Sequence, residues 1–128
     1  MEKTVYILAE TRTNNFNDKD IQEKISNVWH EAREKNEDGV LFGIYHNYAG
    51  NYKDDYTLSI ATSTPVGNKM ITIPDNNYTT YVTERNHIFD TWEQIWQAEE
   101  DHVLQRDYKF DFERYLRDGS VQIFIGKK

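Results

Sequence analysis

The stretch Tyr108-Lys109-Phe110-Asp111-Phe112-Glu113-Arg114-Tyr115 alternates aromatic and charged residues. That is the two-residue period of a β-strand, whose successive side chains point to opposite faces. On a regular strand Asp111, Glu113 and Tyr115 share one face, while Phe110 and Phe112 share the other. An Asp118-Gly119 turn signal and a second extended run, Val121 to Ile125, follow. Phe110 to Ile125 therefore reads as a hairpin closed by Leu116 to Ser120. Phe110 and Phe112 are expected to pack under a helix, leaving Glu113 on the face of Tyr115. A lone Glu in such a strand is by default a solvated residue. Whether Glu113 is instead an acid inside an aromatic pocket depends on the rest of the chain.

Working outward, Ile88, Trp92, Ile95, Trp96 and Glu99 recur at i, i+4, i+7, i+8 and i+11, with Phe89 beside them. This is the stripe of an amphipathic helix, with Asn86 as its N-cap. Leu104 to Asp107 reads as a connector. Earlier, Met70 to Ile73 is extended up to Pro74, and Tyr78 to Thr83 is extended after the Asp75-Asn76-Asn77 turn. The first half has a similar order. Val5 to Thr11 reads as a strand and residues 12–19 as a polar loop. A helix then carries the stripe Ile21, Ile25, Val28, Trp29 and Ala32, with Asn17 as N-cap and Asp38-Gly39 as a stop. Val40 to Tyr48 and Tyr56 to Thr62 follow as strands, joined through Ala49 to Asp55.

The order β-α-β-β thus occurs twice, over roughly residues 4–63 and 69–126, as a repeat of pattern rather than of letters. The predicted fold is α+β. It is a duplicated β-α-β-β module with pseudo-twofold symmetry, an antiparallel sheet with two helices on one face, and a ligand cleft between the halves. With 128 residues, a single domain spanning 1–128 is the natural expectation.

Composition excludes several classes of chemistry. There is no cysteine, so neither disulfides nor thiol catalysis are available. The net charge of −7 opposes direct nucleic-acid binding, which needs a basic surface to displace counterions. No apolar run is long enough to span a membrane and no signal peptide is evident, so a cytoplasmic setting is expected. The four histidines, His30, His46, His87 and His102, are not paired at metal-ligand spacing. Neither a Gly-x-Ser-x-Gly elbow nor a phosphate-cradling glycine loop is present. No metal and no cofactor are expected.

The aromatics carry more information. Nine Tyr and three Trp are many for a small domain, and they offer stacking surface as well as core volume. Tyr45, Tyr48, Tyr52 and Tyr56 lie in or beside one hairpin. Tyr45 shares its strand face with Leu41 and Gly43, opposite Phe42 and Ile44. Trp29, Trp92 and Trp96 sit on helix stripes, where core packing is the ordinary role, although a Trp can bury one edge and present the other to a cavity.

Together these segments resemble the GyrI-like small-molecule-binding superfamily, the effector-binding domain of multidrug-sensing transcription regulators and their free-standing relatives. Four segments carry the resemblance, in the right order. They are Val40-Leu41-Phe42-Gly43-Ile44-Tyr45-His46-Asn47-Tyr48 running to Asp55-Tyr56-Thr57, and Met70-Ile71-Thr72-Ile73-Pro74 with Tyr78-Thr79-Thr80-Tyr81. The others are Ile88 to Trp96, and the hairpin from Tyr108 to Tyr115 with Val121-Gln122-Ile123-Phe124-Ile125. The resemblance implies that Glu113 is the pocket acid and that Tyr45, Tyr48, Tyr81, Trp92 and Tyr115 form aromatic walls. The chain departs from many members by ending at Gly126-Lys127-Lys128.

The function expected on that basis is binding of amphipathic, cationic aromatic compounds, in drug sensing or transcription regulation. No helix-turn-helix fits before residue 40, so the chain is expected to act as a free-standing sensor or with a protein partner. Two other readings remain open. One is a small hydrolase of reactive electrophilic compounds, with Glu113 as general base. The other is a protein-interaction inhibitor of a topoisomerase-like partner with a basic surface.

Overall fold

The structure is a computed structural model that describes residues 3–35, 41–50, 53–116 and 118–128. The turn expected at Asp38-Gly39, and Val40 and Tyr52, lie outside the described residues. The elements are β1 (Lys3–Thr13), α1 (Ile21–Lys35), β2 (Leu41–His46), β3 (Tyr56–Thr62), β4 (Met70–Ile73) and β5 (Asn77–Glu84). A 3-10 turn (Arg85–His87), α2 (Ile88–Glu100), β6 (Arg106–Tyr115) and β7 (Ser120–Lys127) complete the order. No helix among the described residues is long and apolar enough to cross a membrane.

All seven strands form one antiparallel sheet in the order β4-β1-β3-β2-β6-β7-β5. The run β1-β3-β2 meets its mirrored counterpart β6-β7-β5 between β2 and β6. This is the pseudo-twofold arrangement that the repeat predicts. The second β-α-β-β unit, however, starts at β5 rather than near residue 69. Strand β4 pairs outside β1 and has no counterpart.

Connectivity requires the sheet to curl. Strands β4 and β5 are opposite edges, yet only residues 74–76 separate them. Four peptide steps reach at most about 14 Å, whereas six strand spacings of a flat sheet cover about 29 Å. Accordingly, Ile73 of β4 and Tyr78 of β5 join one apolar cluster with Val5, Phe42 and Ile44.

That cluster corrects one expectation. Phe110 and Phe112 pack in it, on the sheet face away from the helices, and not under α2. Phe112 stacks on Phe124 with centroids 4.5 Å apart. The curled sheet supplies its own apolar cover, so a two-sided strand does not need a helix on its aromatic side. On the helix-facing side, Val28 and Ala32 of α1 pack on Leu58 and Ile60, and Ile95 of α2 packs on Val121, Ile123 and Ile125.

Helix starts also differ from those read off the sequence. The Asp20 carbonyl accepts from Lys24 N, so α1 opens at Ile21 and not after Asn17. Asn17 N instead donates to the Asn14 side chain. Asn86 lies inside the 3-10 turn, and His87 occupies the N-cap position of α2 without a side-chain cap.

Candidate functional site

Strands β2 and β6 are the central neighbours of the sheet, and Gly43 stands opposite Glu113 across them. A Cβ at position 43 would lie 3.1 Å from Glu113 Oε1 and 3.6 Å from the Trp29 ring. The glycine therefore clears the space that the carboxylate and the indole share. Replacing it by alanine is expected to push the carboxylate off its donors. A stability cost of about 1–2 kcal/mol should follow, read by urea unfolding.

Glu113 is 1% exposed. Trp92 Nε1 donates to its Oε2 at 2.7 Å, Tyr115 OH donates to its Oε1 at 2.7 Å, and the Tyr45 hydroxyl also bonds to it. Burial raises the carboxyl above the ordinary glutamate value, and the three donors pull partly back. The hydroxyls of Tyr45 and Tyr115 are pushed well up, first by burial and next by the Glu113 charge. Both phenols therefore stay protonated and serve as donors. Among the described residues, no Lys, Arg or His lies within ion-pair distance of Glu113. Trp92→Phe keeps a ring there but removes one donor. It should raise the Glu113 pKa further, an upward shift that an NMR pH titration of the side-chain carboxyl carbon reads.

Glu113 lies in the wall of a cavity of about 600 Å³ bordered by both helices. The rings around it interlock. Trp29 of α1 meets Tyr115 edge-on at 4.7 Å. Tyr45 meets Trp92 of α2 at 5.3 Å and Tyr56 at 5.5 Å. Phe16, from the β1–α1 loop, reaches Trp96 at 5.4 Å. Its loop is shaped by Asn14, whose Oδ1 accepts from Phe16 N and Asn17 N and whose Nδ2 donates to Lys53 O and Asp55.

At the Tyr48 side of the cavity sits a buried ion pair. Arg106 is 4% exposed and Asp111 0%, and Arg106 NH2 lies 2.6 Å from Asp111 Oδ2. Tyr48 OH donates to the same oxygen, while Gly126 N donates to Oδ1 at 2.9 Å. Arg106 NH1 reaches Glu99 Oε1 at 3.5 Å, and Tyr108 OH donates to Glu99.

Five of the six residues singled out in the sequence, Glu113, Tyr45, Tyr48, Trp92 and Tyr115, line this one cavity. Tyr81 does not. It stands on the edge strand β5, two strands from β6, and packs with Ile95, Val121 and Ile123 between α2 and β7. Trp29 and Tyr56, noted in the sequence among the aromatics but not placed in the site, also line the cavity, as do Phe16 and Arg106, which were not singled out. Trp29 carried a signal, its place on a helix stripe, but that stripe equally describes a core residue. Among the described residues, no group of three or more His, Asp or Glu could hold a metal ion.

Comparison with known proteins fits this geometry. The family model described as integron-associated effector binding protein (Cass2) matches residues 2–126. The fold is shared with the crystal structure of an integron cassette protein from the mobile metagenome of Vibrio cholerae. The TM-score is 0.85 at 19% identity, covering 99% of this chain and 91% of that one. No sequence among the curated proteins matches. With nearly its whole length matched by the family model, the chain belongs to the integron-associated effector binding proteins.

Proposed function

We propose that this protein binds amphipathic organic cations in the cavity between the helices, with Glu113 as the seat of the positive charge. One observation carries the reading: a carboxylate 1% exposed sits in an aromatic cavity, hydrogen-bonded but not ion-paired among the described residues. Burial of an uncompensated charge is costly, and a cationic ligand relieves that cost. Aromatic faces add about 0.5–2 kcal/mol of cation–π attraction. A cavity of about 600 Å³ falls in the range that encloses drug-sized molecules. The family's effector-binding description and the resemblance to the GyrI-like superfamily point the same way, toward ligand sensing linked to regulation. A hydrolytic role for Glu113 has less support. Three donors already occupy its oxygens, which suits a fixed charge better than a base that must take a proton from water.

The test is a titration of an arylalkyl trimethylammonium probe, followed by tryptophan fluorescence, beside its neutral tert-butyl isostere. The cation should bind at least about 30-fold more tightly than the isostere at pH 8. Equal affinities would sink the electrostatic role of the cavity.

A further inference from the structure

The cavity holds a second charged group that the cation-binding reading does not use. Arg106 borders it together with Glu113. Its guanidinium carries five N–H donors, of which three have contacts among the described residues, only one of them short. NH2 meets Asp111 at 2.6 Å and Tyr48 OH at 3.4 Å. NH1 has the long 3.5 Å contact to Glu99. Nε is buried and has no partner among the described residues. Three aromatic rings surround the same group, Tyr108 at 4.5 Å, Trp92 at 5.8 Å and Tyr48 at 5.9 Å from ring centroid to guanidinium carbon. This side of the cavity is thus an aromatic cage already filled by the protein's own cation.

Two consequences follow from charge and geometry. A second ligand cation placed there would face a fixed like charge and find the ring faces taken. A neutral oxygen would instead meet unused N–H donors. Asp111 already neutralises the guanidinium, so a full negative charge on the ligand is not required. Arg106 is held by Asp111, the neighbour of Glu113 on one face of β6, so the two seats are separated by roughly the two-residue strand repeat, about 7 Å. Trp92 links them, since it donates to Glu113 and borders Arg106.

We propose that Arg106 makes the site bipolar: it selects molecules with one cationic centre, seated at Glu113, and an acceptor oxygen about 7 Å away, seated at the guanidinium, and it disfavours dications of the same length. This rests on the cation-binding reading and adds the class of ligand. In calorimetry, three probes of equal length separate the possibilities: an arylalkyl trimethylammonium, its analogue with a carbonyl oxygen about 7 Å from the nitrogen, and the matching bis-trimethylammonium. Wild-type protein should bind the carbonyl probe about 3- to 10-fold more tightly than the parent, the gain of one hydrogen bond. It should bind the bis-cation at least about 10-fold more weakly than the carbonyl probe. In the double variant Arg106→Met/Asp111→Asn, which removes both charges, the three should converge to within about 3-fold.

A bis-cation that binds wild type as well as the carbonyl probe, or a ranking that survives in the double variant, overturns the role of Arg106. If the double variant fails to fold by circular dichroism, Arg106→Lys decides. It keeps the charge but not the fork, so the carbonyl gain should shrink while the bis-cation stays disfavoured, and an unchanged carbonyl gain overturns the proposal. Failure of the parent probe to bind wild type would instead remove the cation-binding reading, and this inference with it.

Discussion

Glu113→Gln should abolish high-affinity cation binding and leave the fold intact or firmer. The carboxylate is 1% exposed, so on the proposed cation-binding reading, removing its charge removes a desolvated ion pair with the ligand. Such losses run about 2–5 kcal/mol, or roughly 30-fold to several thousand-fold in affinity. The amide can keep the local bonds, because its oxygen accepts from Trp92 and its NH₂ can donate to the Tyr45 or Tyr115 hydroxyl. Stability should move the other way. The Glu113 carboxyl is raised by burial in the folded protein. Its favourable contribution is complete below the ordinary glutamate value and is lost as pH rises through the folded value. Above the folded value the wild type therefore carries a buried charge that Gln lacks.

Other carboxyls run against this trend. Hydrogen bonds from Lys24 and Thr13 hold Asp18 down at about 2, and Glu10 and Asp118 are also lowered. The informative quantity is accordingly the stability of Glu113→Gln minus that of wild type, measured by urea unfolding between pH 4 and 8. The difference should grow with pH. Cation affinity of the wild type should rise over the same interval, because only the ionised form attracts the probe. A difference that is flat with pH would show that Glu113 does not change its protonation on folding.

Asp111→Ala is the second large effect, and it falls on stability. Asp111 and Arg106 are an ion pair closed off from water at 2.6 Å. Removing the carboxylate strands the guanidinium and orphans the Gly126 amide, so a loss of about 3–5 kcal/mol is expected in urea unfolding. Arg106→Met/Asp111→Asn should cost no more than about 2 kcal/mol, because the buried pair leaves together and only Glu99, at a long 3.5 Å contact, loses a cation. A double variant as unstable as Asp111→Ala would mean that packing, and not charge pairing, holds this corner together.

Local periodicity determined a good part of this protein. Strand alternation alone put Asp111, Glu113 and Tyr115 on one face, because side chains alternate along any regular strand. Two helix stripes and their flanking extended runs identified the repeat, and with it the antiparallel sheet, since amphipathicity records which face of each element is buried. What surrounds Glu113 is a matter of how distant elements meet. Its three donors come from α2, β2 and β6, and Gly43 matters only because β2 pairs with β6 in that register.

Arg106 is the clearest case of the opposite kind. It lies an odd number of residues from Asp111 and Glu113, so regular alternation would send it to the far face. In the structure, five steps of β6 between Arg106 and Asp111 face only two of β7 between Lys127 and Ile125. Tyr108 within that bulge has a positive φ of 57°. The extra residues reverse the alternation and bring the guanidinium onto the cavity side. Similarly, Phe110 and Phe112 keep the alternation read from the sequence, but their partners depend on how the sheet curls. The sequence by itself determined which residues share a face of each element, and that the acid shares its face with Asp111 and Tyr115. Only the tertiary structure decided what meets it, because bulges, curl and strand order join residues that no local period connects.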